Sequence, residues 1–136
     1  HFARRLVDDF NLGIKIWDSL DDIPDAMLDV LIAVEVMEHL DDPVTFTRLF
    51  RQKLKPGGRL IMSGPTESWL YKLGRFMVGY HRYHDYHEHN VYELRKIIAA
   101  NGFTLEKTLR YPSPLLPLFL ISAYHVSSEQ ADSLRS

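Results

Sequence analysis

Leu28-Asp29-Val30-Leu31-Ile32-Ala33-Val34-Glu35-Val36-Met37-Glu38-His39-Leu40 is the stretch whose reading decides the fold. From Leu28 to Val34 the residues are apolar apart from Asp29, and β-branched side chains are frequent. That is the pattern of a strand buried on both faces of a parallel sheet. The run then breaks into acid, acid and imidazole at Glu35, Glu38 and His39. In open parallel sheets, ligands collect beyond the carboxyl ends of the strands. The polar trio therefore stands where a site is expected.

Working outward, the next signals define a helix and a second strand. Asp42-Pro43 supplies an N-cap followed by proline at the first helical position. Phe46, Leu49, Phe50 and Leu54 form one apolar face behind it, and Pro56-Gly57-Gly58 stops the helix. Residues 59–64 read as a strand. Upstream, Phe2, Leu6, Val7 and Phe10 recur at helical spacing, so residues 2–10 read as the tail of a helix. Ile14-Lys15-Ile16-Trp17 predicts a short strand, followed by an acidic loop through Asp18, Asp21, Asp22 and Asp25.

The second half keeps the rhythm. Trp69, Leu70, Leu73, Phe76, Met77 and Tyr80 predict a helix over 66–80, with Lys72 and Arg75 on its polar side. A connector rich in histidine and tyrosine runs from His81 to His89. Asn90 and Glu93 are spaced as a capping box for a helix carrying Val91, Leu94, Ile97 and Ile98, which Asn101-Gly102 ends. Residues 103–110 and 117–126 read as a final pair of strands, joined through the Pro112–Pro117 turn. The last residues, 127–136, form a polar tail. No repeat or long linker divides the chain. The expected class is α/β, a mostly parallel sheet with an antiparallel C-terminal strand pair.

Composition narrows the function classes. The 136 residues suffice for one domain, and a hydrophobic share of 46% suffices for a core. A formal charge of −2 gives no electrostatic case for nucleic acid as a partner. The chain has no cysteine, which excludes disulfides and thiolate chemistry. No run reaches the about 18 apolar residues needed to span a bilayer. The start, His1-Phe2-Ala3-Arg4-Arg5-Leu6, does not read as a signal peptide, and the expected location is cytoplasmic.

Asp29 through His39, Asp42-Pro43, the Leu54-Lys55-Pro56-Gly57-Gly58 turn, and Glu93-Leu94-Arg95 with Asn101-Gly102-Phe103 together resemble a class I S-adenosylmethionine-dependent methyltransferase. The similarity is to the small-molecule branch that includes the ubiquinone-biosynthesis O-methyltransferases, and it runs through nearly the whole chain in the expected order. The resemblance implies a Rossmann-like sheet with S-adenosyl-L-methionine as cofactor. It also implies methyl transfer to a small-molecule or lipid-like acceptor. One part of the family pattern is not found. Members begin with a strand that ends in a glycine-rich turn, but the seven glycines here lie at 13, 57, 58, 64, 74, 79 and 102, with no Gly-x-Gly at a strand–helix junction. Against that pattern, residues 1–136 are expected to be a partial methyltransferase domain. A free sheet edge beside the strand 28–34 would then be open to pairing with another chain. A non-catalytic, methyltransferase-like binding or oligomerisation module is the alternative. A nucleotide-dependent dehydrogenase is disfavoured because no phosphate-cradling glycine loop is present.

The resemblance also carries residue roles. Asp18 resembles the acid that accepts the adenine amino group, with the Ser19 amide beside it. The plain reading of Asp18 is a solvated loop acid. Ala33 and Val34 resemble positions lining the methionine side of the cofactor pocket, which is compatible with ordinary packing; Glu35 follows them. A first helical turn after Val34 would set Glu35, Glu38 and His39 on one side, at spacings of three and four. Two carboxylates and an imidazole in that arrangement offer a site for a hard ion such as magnesium, although imidazole is not its preferred ligand. Alternatively His39 acts as general base on an acceptor hydroxyl. A third reading is structural, with His39 orienting the loop and Glu38 serving as a hydrogen-bond partner.

In the connector, His81, His84 and His87 recur every third residue, a spacing that sweeps around a helix rather than converging on one ion. The resemblance makes this segment a substrate-facing lid, with His87 and His89 turned toward the acceptor; a solvated loop is the plain alternative. The aromatic stretch 66–80, bordered by Lys72, Arg75 and Arg82, permits peripheral membrane contact or a hydrophobic acceptor. An apolar stripe of this kind more often belongs to a core.

Overall fold

Leu28–Val34 forms strand β1, and the chain then makes a short 3-10 turn at Met37–His39 before helix α2. A computed structural model describes residues 2–66, 89–115 and 117–127. Within them the order is helix α1 (Phe2–Asp9), β1, the 3-10 turn, α2 (Pro43–Lys53), β2 (Leu54–Pro65), α3 (Val91–Ala100), β3 (Phe103–Tyr111) and β4 (Phe119–Val126). Residues 67–80 of the expected helix, most of the histidine connector including His87, and the tail beyond Ser127 lie outside the described residues.

Both helix starts follow from their caps. The Asp42 carboxylate accepts the Thr45 N–H at 3.0 Å, and Pro43, which has no N–H to satisfy, takes the first helical position. Asn90 Oδ1 accepts the N–H groups of Tyr92 and Glu93 at 3.0 Å, while Glu93 reaches back to the Asn90 N–H at 3.3 Å. The capping box anticipated at Asn90 is thus complete. At the other end of α3, Gly102 adopts φ +84°, the left-handed conformation that turns the chain into β3.

The four strands form one sheet in the order β1-β2-β4-β3. β1 pairs with β2 in parallel, Ile32 opposite Ile61 and Val34 opposite Ser63. β2 pairs antiparallel with β4, which pairs antiparallel with β3. The expected antiparallel C-terminal pair is present, and among the described residues the parallel part is a single pair. β2 begins directly after α2 instead of at residue 59. Leu54 pairs with Leu28 and Arg59 with Val30, so the Lys55–Gly58 segment bulges between them. Gly57 at φ +74° makes that bulge possible, and a Cβ on Gly58 would meet the Lys55 carbonyl oxygen at 2.9 Å.

The core lies on one face of this sheet. Leu31 and Ala33 from β1, Leu60 and Met62 from β2, and Leu120 and Tyr124 from β4 meet Phe50 of α2 and Val91, Leu94 and Ile98 of α3. Met37, on the 3-10 turn, is fully buried against them. Burial pushes the Tyr124 phenol above its usual pKa. At the end of α2, Lys53 is buried and its Nζ meets Asp25 Oδ1 at 2.8 Å, which ties the acidic loop to the helix.

Two sequence expectations require correction here. β1 is buried on one face only: Leu31 and Ala33 point into the core, while Val30, Ile32 and Val34 are 46%, 65% and 54% exposed. The reason is that α2 and α3 both pack on the side of Leu31, and no described element covers the other. A dense apolar run cannot by itself distinguish these cases, since the inward face accounts for only half of it. Ile14–Trp17 is not a strand. No described strand offers it a ladder, and Lys15 instead sets its ammonium over the Trp17 ring at 3.4 Å from the centroid. Among the described residues, no helix is long and apolar enough to cross a membrane.

The one-sided burial yields a contrast between neighbours. Leu31→Ala is expected to cost about 2–5 kcal/mol because it opens a cavity under α2 and α3. Ile32→Ala is expected to cost under about 1 kcal/mol because its side chain already faces solvent. Urea unfolding of the two variants measures both values, and equal losses would place a covering element on the outer face.

Candidate functional site

The carboxyl end of the β1–β2 pair carries the polar groups the sequence singled out, in an arrangement the sequence did not predict. The backbone leaves β1 through Glu35 at φ +52°, a left-handed conformation that non-glycine residues adopt only when their surroundings hold them. Glu35 therefore stands before the 3-10 turn and not within a helical turn. The spacing of three and four that would have placed Glu35, Glu38 and His39 on one α-helical side is not realised. Ser63, at the register position beside Val34 on β2, donates its hydroxyl to Glu35 Oε1 at 2.5 Å. Ser63 was not among the expected site residues. Its signal was indirect, because a small hydroxyl at the end of an apolar strand matters only once the parallel register is known.

Glu38 turns inward. It is 1% exposed, and neither carboxyl oxygen has a hydrogen-bond donor among the described residues. Burial raises its pKa above the ordinary carboxyl value, and the neighbouring Glu35 carboxylate adds to that effect, while His39 opposes it. Glu35 and His39 are themselves exposed. The turn thus places one acid inside, one acid outside and an imidazole at the rim. No group of three histidine or acidic side chains converges on a metal position among the described residues.

The other expected residues occupy different places. Ala33 packs in the core, and Val34 opens onto the uncovered face. Asp18 is exposed and ion-paired with Arg4. Ser19 sits in the same loop, its hydroxyl accepting the Asp21 N–H at 3.2 Å. The loop Asp18–Asp21 and the Thr45, Phe46, Arg48, Leu49 and Gln52 side of α2 enclose a cavity of about 600 Å³. Asp18 and Ser19 are therefore brought together at a hollow, apart from the Glu35 turn. His89 lies at the start of α3, its Nδ1 3.9 Å from Glu93 Oε2.

With this geometry in place, comparison with known proteins is informative. Residues 11–62 match the family model described as a methyltransferase domain. No curated protein matches the chain in sequence. Among solved structures, a SAM-dependent methyltransferase from Aquifex aeolicus superposes with a TM-score of 0.64 at 14% identity, over 92% of this chain and 62% of that one. The Burkholderia thailandensis 1,6-didemethyltoxoflavin-N1-methyltransferase, with bound 1,6-didemethyltoxoflavin and S-adenosylhomocysteine, gives 0.65 at 16% identity, over 93% and 56%. Magnesium protoporphyrin IX methyltransferase from Synechocystis, with bound SAH, gives 0.64 at 16% identity, over 92% and 57%.

The sheet and its helices are thus those of a Rossmann-like methyltransferase. The fold is shared with these S-adenosylmethionine-dependent methyltransferases, and the methyltransferase-domain match spans residues 11–62 of the 136. The chain spans between 56% and 62% of the length of the three structures named.

The buried acid makes stability depend on pH in a defined direction. The folded-state pKa of Glu38 is raised above its unfolded value, so the protonated form is favoured on folding. Its contribution is fully present below the unfolded pKa and is lost as pH rises through the folded pKa. Asp25 and Asp42 act oppositely: hydrogen bonds from Lys53 and from Thr45, respectively, lower their pKa values, and their contributions are lost as pH falls. Melting temperatures of the wild type and Glu38→Gln, compared from acid to neutral pH, are expected to show the variant gaining relative to the wild type as pH rises. A pH-independent difference would mean that Glu38 does not titrate on folding.

Proposed function

We propose that this chain binds S-adenosylmethionine and takes part in methyl transfer to a small-molecule acceptor. The observation that carries this reading is the polar turn Glu35–His39 at the carboxyl end of β1, in a methyltransferase fold, where a parallel sheet receives its ligand. The residues present suit the cofactor. Asp18 and Ser19 border a hollow wide enough for a planar base, and their carboxylate and backbone N–H match the donor and acceptor edge of adenine. The buried Glu38 carboxyl without a donor marks a place where polar contacts are unfilled. The Burkholderia relative carries a small-molecule acceptor and S-adenosylhomocysteine in its structure, which supports the same two ligand classes for this chain.

When bound, the cofactor supplies an electrophilic methyl group on a positively charged sulfur. The protein's part is then alignment and proton removal. Ala33 and Val34 bring backbone to the strand end beside Met62 and Ser63 of β2. Exposed His39, at the rim, takes the acceptor's proton. Asp18 must exchange its Arg4 ion pair for the adenine amino group, a surface pair whose loss costs little. His89, at the start of α3, faces the acceptor.

Calorimetric titration with S-adenosylmethionine tests the cofactor assignment: saturable binding is expected, weakened in Asp18→Ala. Single-turnover methyl transfer tests the base. His39→Ala is expected to slow it by about 10²–10⁴-fold with cofactor affinity retained. Unchanged turnover in that variant would remove His39 from the chemistry.

A further inference from the structure

The Glu35 turn has a charge imbalance that neither packing nor the cofactor's adenine half explains. Glu35 is held in a left-handed conformation with its carboxylate exposed, and its hydrogen-bond donor is the neutral hydroxyl of Ser63. Behind it lies the Glu38 carboxyl, buried and without a donor. No lysine or arginine pairs with either acid among the described residues. Elsewhere the chain readily pairs its acids: Asp18 with Arg4, Asp25 with Lys53, Asp29 with Lys55, and Glu106 with Arg59. The Glu35 carboxylate, without a described lysine or arginine partner at the ligand end of the sheet, gives that end a negative potential.

We propose that Glu35, positioned by Ser63 and backed by Glu38, is the electrostatic counterpart of a cationic ligand, so that the chain holds the charged sulfonium donor more tightly than the neutral thioether left after transfer. This inference rests on the cofactor reading above and deepens it. The negative turn favours the reactant over the product and so assists release once the positive charge is gone. Ser63 acts through Glu35: its hydroxyl holds the carboxylate at the strand end. Removing that hydrogen bond lets the Glu35 side chain swing out to solvent, where water screens it.

The test compares two probes by calorimetry on the whole chain: sinefungin, in which a carbon bearing an ammonium replaces the methylated sulfonium, and S-adenosylhomocysteine, which is neutral there. The wild type is expected to favour sinefungin, and raised salt should shrink the preference. Glu35→Gln is expected to reduce the ratio of affinities by roughly fivefold, the effect of removing one nearby charge in water-screened surroundings such as those of the exposed Glu35. Ser63→Ala should reduce it in the same direction, Ser63→Thr should restore it, and the double variant Glu35→Gln/Ser63→Ala should lose no more than Glu35→Gln alone. A purely structural role would weaken both probes equally and leave the ratio unchanged. Equal affinity of the wild type for the two probes overturns this inference and leaves the cofactor reading standing. Failure of both probes to bind overturns the cofactor reading, and the inference with it.

Discussion

The burial of Leu60 and Met62 beneath α2 and α3 is the constraint on which the rest of the structure depends. Both residues are fully buried, and both belong to β2, the strand that touches β1 on one side and β4 on the other. A strand so placed determines the heights of both neighbours. Ala33 lies opposite Met62, and Ser122 opposite Met62 on the far side, so a slip in either pairing would exchange buried and exposed faces. The same register brings Ser63 level with the end of β1. The polar geometry at Glu35 is therefore a consequence of core packing two strand positions away.

Local signals and long-range arrangement separate cleanly in this chain. The caps at Asp42 and Asn90 and the stop at Gly102 were legible because each is a contact within a few residues, written in neighbouring side chains. β1 was legible as a strand for the same reason. Its exposure was not. Val30, Ile32 and Val34 have the residue types of a buried face, and only the placement of α2 and α3 shows that they have no cover here. Ile14–Trp17 failed in the opposite direction. Its alternation suits a strand, but a strand exists only with a partner, and propensity carries no information about one.

The candidate site was legible as a location more than as an arrangement. Acids and imidazole at the end of an apolar strand pointed to the carboxyl end of β1, where the structure places them. The helical turn inferred for them was replaced by a left-handed Glu35 and a 3-10 turn, which buries Glu38 and leaves the neighbouring Glu35 exposed. Ser63 could not be nominated from its neighbours in sequence, because its partner is 28 residues away. Asp18 and Ser19 share one loop because they are adjacent in sequence. The α2 side chains that complete their hollow came from the fold.

The single ladder of β1 imposes a pattern on its own backbone. Successive amides in a strand point to opposite sides, and β1 has a described partner on one side only, β2. Every second N–H from Leu28 to Val34 is thus locked to β2, while the intervening ones face outward along the edge. In deuterated solvent the strand would label as a comb, with slow and fast positions alternating residue by residue. Any strand that came to lie along that edge would make the fast positions slow and erase the alternation. The backbone itself thereby reports whether the sheet ends at β1.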